Sequence, residues 1–310
     1  MLDVLQLTLD GLLDGGVYAL LALGLSLTFG CLRRLNLAYG ATAMLAAYIG
    51  AWLYATFQIS AGLVALAVVV SATLIGCYVE QICFVRSSSD MPPPTALTDA
   101  VLPTDSREII ALASSFALWM QLEQLAVNLL PRHLNVFPLI AVVDDWVIGA
   151  ITIRPDRLAL TLLAVALTLG IAAWLKHTRA GLSWRAASDQ RTAAHLSGMP
   201  VALLQTAGFA LACGLSGIAA FAVLSLDGQV TPMFGMWVLF KGLVAAMLGG
   251  LGSVRGVLWG GLLLGVIESH AQSLLGAQGR EFVAYALLML VLVWPARFGI
   301  IPLAWSGIRP

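Results

Sequence analysis

Two ionisable side chains stand inside stretches that otherwise shun charge: Lys241 in VLFKGLVAAML and Glu268 in LLLGVIESH. A charge in such surroundings is costly unless it is paired or faces water. The two could form an ion pair, or Lys241 could lay its stem along apolar neighbours and reach a surface. Asp227 and Gln229, ahead of Thr231-Pro232, close another apolar run, where a substrate or a docking protein could meet them. Catalytic chemistry is missing. There is no G-x-x-x-x-G-K-[ST] phosphate loop, no G-x-S-x-G elbow and no H-E-x-x-H pair. The cysteines at 31, 77, 83 and 213 form no Cys-x-x-Cys, and the histidines at 133, 177, 195 and 270 share no metal-ligand spacing. These cysteines read as small buried hydrophobes.

The elements that must hold those two charges are set by composition. Of 310 residues, 60% are apolar and 10% charged, with a mean hydropathy of +0.93 and no net charge. A soluble globule could not cover itself with so few polar groups. Lipid is therefore the solvent, and in lipid only helices or closed barrels satisfy the backbone. Apolar runs of about twenty residues select helices. They fall near 4–30, 40–57, 59–80, 108–130, 157–175, 201–224, 234–251, 256–275 and 281–298, which predicts an all-α polytopic bundle of eight or nine spans. The first run carries Asp10 and Asp14, so its start belongs at an interface or against protein. Asp3 precedes that run, no Lys or Arg occurs before Arg33, and the run is too long for a signal-peptide core, so no cleavable leader is expected.

Basic residues orient the spans. With the 31–39 turn in the cytoplasm, the same side collects Arg33, Arg34, Arg86, Arg107, Lys176, Arg179, Arg185, Arg191, Arg255, Arg297 and Arg309. The other side receives only Arg132, Arg154, Arg157 and Arg280. This bias places the N-terminus outside and the C-terminus in the cytoplasm. Residues 86–107, rich in Pro, Ser and Asp, read as a flexible cytoplasmic loop. Residues 131–156 form an outer loop, whose VVDDWVIGAITI alternation predicts a small hairpin turning at Asp144-Asp145.

Three stretches carry more than hydrophobicity. Gly252, Gly256 and Gly260 recur every four residues, as do Gly261 and Gly265, a spacing that lets helices approach closely in lipid. Within LGGLGS, Gly249, Gly250, Gly252 and Ser253 invite a helix break, and broken backbone at membrane depth must be buried or line a cavity. The turn Asn36–Gly40, with Asn36, Ala38, Tyr39 and Gly40, brings an amide and a phenol beside the membrane. Both stretches read equally as packing or as borders of a pathway. The third stretch, 176–200, is KHTRAGLSWRAASDQRTAAHLSGMP. Its middle, Leu182 to Gly198, predicts one or two short helices lying along the membrane, with Ser188-Asp189-Gln190 capping the second and Gly198 and Pro200 ending it.

These stretches resemble a known family. Arg185-Ala186, Asp189, Ala193 and Leu196-Ser197-Gly198 look like the R-A-x-x-x-D-x-x-x-A-x-x-x-G coupling loop of ABC-importer permeases, in the form found in the branched-chain amino acid (Liv-type) permeases. The N-terminal GLLDGGVYALLALGLSLTFGCLRRLNLAYG is similar to that family's opening signature, matching at Gly11, Tyr18, Ala19, Gly24, Gly30, Asn36, Ala38 and Gly40 among others. FKGLVAAMLGGLGSVRGVLWGGLLLGVIES resembles its C-terminal block, from Lys241 through Gly249, Gly250, Gly252 and Ser253 to Glu268. Two positions depart from the pattern. Tyr39 replaces the usual His, and the Pro-rich 86–107 loop replaces a short basic stretch.

The resemblance implies that residues 1–310 form a single transmembrane permease domain, the multi-pass subunit of an importer in a bacterial plasma (inner) membrane. It implies translocation of branched-chain or other hydrophobic amino acids by ATP-driven alternating access. Urea or a short amide is the alternative cargo, and a stand-alone secondary transporter or channel the alternative of another class. The implied partners are two ABC ATPase subunits, a second homologous permease and an extracytoplasmic substrate-binding protein. ATP and Mg would be bound by the ATPases, with no cofactor on this chain and no nucleic acid involved. The implied contacts with the ATPases are Arg185, Ala186, Asp189, Ala193, Leu196 and Gly198.

Overall fold

The computed structural model describes residues 2–32, 36–85, 104–129, 136–139, 146–148 and 151–298. Every apolar run becomes a helix. They are α1 (Leu2–Leu32), α2 (Tyr39–Phe57), α3 (Ala61–Glu80) with a π-helical turn over Gln81–Val85, and α4 (Thr104–Leu129). Strands β1 (Trp146–Ile148) and β2 (Ile151–Ile153) follow. Then come α5 (Pro155–His177), α6 (Arg179–Asp189), α7 (Arg191–Leu196), α8 (Val201–Asp227), α9 (Phe234–Gly249), α10 (Val254–Leu275) and α11 (Ala277–Phe298). The Pro-rich loop, but for its last residues at the start of α4, and the C-terminal tail lie outside the described residues.

Six of these helices are long and apolar enough to cross a membrane: α1, α2, α3 with its π turn, α4, α5 and α8. Helices α9 and α10 pass that test as one broken pair, bent by 116°. Eight or nine crossings were expected because 234–251 and 256–275 each approach the needed length. The bend joins them into one broken element, and α11 takes the last apolar run.

Exposed surfaces are apolar as well as buried ones. On α3 the inner face is Val64, Val68, Ala72 and Gly76, while Leu63, Leu66, Val70 and Leu74 point outward. A helix apolar on both sides has no amphipathic stripe, as expected when its outer solvent is lipid.

The chain divides into two compact units. The first comprises 1–30, 139–182 and 240–310. Here α1 is the central rod. At the α1–α10 crossing a Cβ on Gly265 would overlap the Gly11 carbonyl and the Gly15 backbone, and one on Gly261 would overlap the backbone of Ala19. Only hydrogen fits between the two backbones. On another face of α1, Thr161 of α5 donates its hydroxyl to the Leu13 carbonyl at 2.9 Å. The hairpin is present, antiparallel, with Trp146 opposite Ile153 and Ile148 opposite Ile151. Its reversal therefore falls between Ile148 and Ile151 instead of at the expected Asp144-Asp145. Gln6 of α1 reads the edge of β2 through both ends of its amide, donating to Thr152 O at 2.8 Å and accepting from Thr152 N at 3.1 Å.

The second unit comprises 31–138 and 183–239. Its core is α2, α3 and α8. Gly76 of α3 faces Cys213 of α8, and Gly217 of α8 faces Ala72 of α3, so this seam too is closed by small residues. Phe137 lies against Phe221 with ring centroids 5.6 Å apart, and its amide donates to Gly228 O at 3.0 Å.

Replacing Gly265 by Val should lower the thermal midpoint of the purified protein in detergent, a loss of about 1–3 kcal/mol from overpacking. Gly170→Ala, on α5 with nothing within 4 Å of its would-be Cβ, should leave the midpoint unchanged or raised. Equal midpoints for the two variants would refute the close α1–α10 approach.

Candidate functional site

In the first unit the two charges singled out from sequence meet. Lys241 Nζ donates to Glu268 Oε1 at 2.6 Å, and the two residues are 1% and 0% exposed. Lys241 therefore pairs instead of reaching a surface. Glu268 is the hub of a larger network. Its Oε2 accepts from the Tyr18 hydroxyl at 2.7 Å and from Arg280 Nε at 3.0 Å. Arg280 also reaches Asp14 Oδ2 at 3.2 Å and donates to the Tyr18 hydroxyl oxygen, and Arg157 bonds the other Asp14 oxygen. Glu281 Oε2 lies 3.2 Å from Lys241, whose ammonium also sits 5.6 Å from the centre of the Tyr18 ring. Three cations thus face three carboxylates. Five helices, α1, α5, α9, α10 and α11, contribute, and α10 can come this close to α1 only because Gly261 and Gly265 carry no side chain.

The break between α9 and α10 is built as LGGLGS predicts. Gly250 and Gly252 take φ of +87° and +86°, values that side chains resist. Ser253 caps α10 by accepting from Gly256 N at 3.2 Å, and Ser26 of α1 accepts the Gly252 amide at 2.9 Å. The stretch is half-exposed, and Ser253 is exposed.

The Asn36–Gly40 turn belongs to the second unit. Asn36 is 1% exposed; its Oδ1 accepts from Ala38 N at 3.0 Å, while its Nδ2 is buried with no hydrogen-bond partner among the described residues. Ala38 and Tyr39 are fully buried, and Gly40 abuts the Gly235 carbonyl so closely that no Cβ fits. The two candidate stretches thus lie in different units, each with its own internal anchor.

The 176–200 connection folds as two short helices, α6 and α7. Gln190 occupies the N-cap of α7, without the side-chain capping bond expected of Ser188-Asp189-Gln190. Gly198 follows α7 at φ +77°. Trp184 of α6 is 6% exposed and packs on Gly208 of α8, where a Cβ would strike its ring. Arg185 and Ala186 are half-buried, whereas Asp189, Ala193, Leu196 and Gly198 are exposed. Leu196 is 82% exposed.

A sequence model of the family described as branched-chain amino acid transport system, permease component, matches residues 7–292. The chain belongs to that family. Among curated relatives, the high-affinity branched-chain amino acid transport permease LivH of Escherichia coli K12 is 24% identical over 306 residues, covering 93% of this chain and 92% of that one. BraD of Pseudomonas aeruginosa, described in the same terms, is 26% identical over 294 residues, covering 94% and 93%. Among solved structures, a chain of PsaBC from Streptococcus pneumoniae, in complex with Fab, matches with a TM-score of 0.46 at 13% identity, over 91% of this chain and 90% of that one, a likeness too loose to bear on function.

The permease is thus an integral membrane protein whose relatives are transport subunits. Reading its sequence finds Lys241 and Glu268 but misses Asp14, Tyr18, Arg157, Arg280 and Glu281. Arg280 sits in a polar connection and Asp14 near a helix start, positions where charge is ordinary. The spacing Asp14–Tyr18, one helical turn, is the one signal that both face the same way. Among the described residues no cluster of three or more His, Cys, Asp or Glu could hold a metal ion.

Because Glu268 accepts from three donors, its loss should cost the permease more than loss of Lys241. Glu268→Gln is expected to destabilise by about 3–5 kcal/mol, the usual cost of orphaning a buried charge. Lys241→Met leaves Glu268 its Arg280 and Tyr18 bonds, so it should cost less. Thermal midpoints of the two variants in detergent check the order, and the reverse order would dislodge Glu268 from the centre.

Proposed function

We propose that this chain is a membrane-spanning subunit of an ABC importer for branched-chain or related hydrophobic amino acids. Family membership over residues 7–292 supports this reading most strongly. The relatives LivH and BraD are described as branched-chain amino acid transport permeases. On this reading the chain pairs with a second homologous permease in a bacterial inner membrane. Two cytoplasmic ATPase subunits hold ATP and Mg, and a binding protein outside the membrane delivers cargo.

The chain's own contribution is mechanical. Helices α6 and α7 are the foot on which the ATPases act. Asp189, Ala193, Leu196 and Gly198 face outward from it, while Trp184 roots α6 against α8. An exposed Leu196 beside small alanines has the chemistry of an interface core: apolar, low in profile and left uncovered by the described residues. ATP-driven closure of the ATPases presses on this foot, the rooted helix transmits the push to α8, and the bundle alternates between outward and inward openings. The excess of Arg and Lys near the foot puts it, and the C-terminus, on the cytoplasmic side, with the hairpin and N-terminus outside.

Leu196→Asp tests the reading. Uptake by the whole importer in proteoliposomes should fall about tenfold or more, as for loss of an interface anchor, with insertion and folding intact because the residue is exposed. A cysteine at 196 should cross-link to an ATPase subunit and react only with reagents admitted to the cytoplasmic side. Wild-type uptake by Leu196→Asp, or labelling of the cysteine from outside, would overturn the reading.

A further inference from the structure

The second unit holds a carboxylate that the coupling scheme does not use. Glu80 ends α3 and is 1% exposed. Its Oε1 accepts from the Thr206 hydroxyl of α8 at 3.0 Å, and its Oε2 is shut from solvent with no hydrogen-bond partner among the described residues. No salt bridge among the described residues reaches it. Glu268, in the same chain and as deeply buried, has two cations and a phenol. A buried carboxylate held by one neutral hydroxyl lacks the cation that such a site calls for.

The surroundings narrow what the cation can be. Cys77 stands one turn earlier and Phe84 one turn later on the same side of α3, and the Phe84 ring lies 5.8 Å from that of Phe209 on α8. A thiol and two touching phenyl rings therefore stand along this side. Directly after Glu80 the backbone widens into the π turn Gln81–Val85, a form that collects at functional positions. Glu80 lies at the end of α3, where its seam with α8 closes at Thr206.

We infer that Glu80 and Thr206 form a binding site for the ammonium group of the amino acid in transit, with Glu80 supplying the countercharge and Phe84 and Phe209 the apolar wall for its side chain. The inference rests on the amino-acid reading given above and sharpens it, because urea and short amides carry no ammonium. With α3 running inward from the outer face, the site lies at the inner end of the seam and is met late in passage.

The test uses the complete importer in proteoliposomes with its binding protein. Glu80→Gln keeps the acceptor for Thr206 and the shape, and removes only the charge. Leucine uptake should fall about tenfold or more, while assembly and the leucine affinity of the binding protein stay unchanged. A role confined to tying α3 to α8 predicts wild-type uptake for this variant, and that result would overturn the inference. Should Glu80→Gln fail to assemble, the wild-type importer decides. Leucine should slow carbodiimide labelling of Glu80, and 4-methylpentanoate, the same skeleton without the ammonium, should not. Labelling that leucine does not slow overturns the inference. Should wild type import urea or acetamide but no leucine, isoleucine or valine, the proposed function itself fails and this site falls with it. Leucine uptake by wild type that is matched by Glu80→Gln removes the site alone.

Discussion

The ion pair between Lys241 and Glu268 constrains everything around it. In water such a pair is worth little, since both ends are solvated when apart. In a lipid-embedded bundle neither end can be left alone, so the helices that carry them must stay together. Tyr18, Arg280, Asp14 and Arg157 extend that obligation to α1, α5 and α11. The charges balance three to three, with Lys241 and Glu268 shut away from solvent and Asp14, Arg157, Arg280 and Glu281 partly exposed around them. Apolar packing holds helices together in lipid without specifying register. Hydrogen bonds from three donors to one carboxylate do specify it, because a shift of one residue on α10 would carry Glu268 out of reach of all three.

Glycine makes that network reachable. The Tyr18 hydroxyl meets Glu268 because α1 and α10 approach at Gly11, Gly15, Gly261 and Gly265, where any side chain would hold them apart. The same residue type serves a different end at Gly250 and Gly252, whose positive φ folds α10 back against α9. Close approach and sharp bend are separate uses of a missing Cβ, and this unit has both within twenty residues. Packing and polar bonding thus reinforce each other: each would be weaker without the other.

Much of this is legible in the amino-acid sequence. Twenty-residue apolar runs give the helices, because lipid thickness leaves few lengths to choose from. The break in LGGLGS is written in its glycines, and the pair of short helices in 176–200 in its alanines and charges. Lys241 and Glu268 stood out because charge is rare where they sit. Arg280 and Asp14 did not, since a charge near a helix end is unremarkable in sequence and its partner is set by packing. The hairpin was foreseen but its reversal misplaced, because Asp-Asp is an acceptable turn pair and only pairing across the strands puts the reversal between Ile148 and Ile151. Glu80 escaped notice for the opposite reason. It ends a helix beside a polar loop, where exposure is the ordinary expectation, and only the fold reveals that it is buried.

Helix α1 touches three distinct places along its course. Gln6 holds the hairpin edge, Asp14 and Tyr18 enter the charge network, and Ser26 holds the Gly252 amide at the bend. Twenty residues separate the first contact from the last, about 30 Å at 1.5 Å per residue, which is the depth of the hydrocarbon layer. An unbroken rod of that length behaves as a lever. A tilt of about 5° swings one end by roughly 3 Å relative to the other, as much as a hydrogen bond is long. The hairpin at one end and the broken helix at the other are therefore geared to each other: neither can be displaced by a bond length without the rod tilting or a named contact letting go.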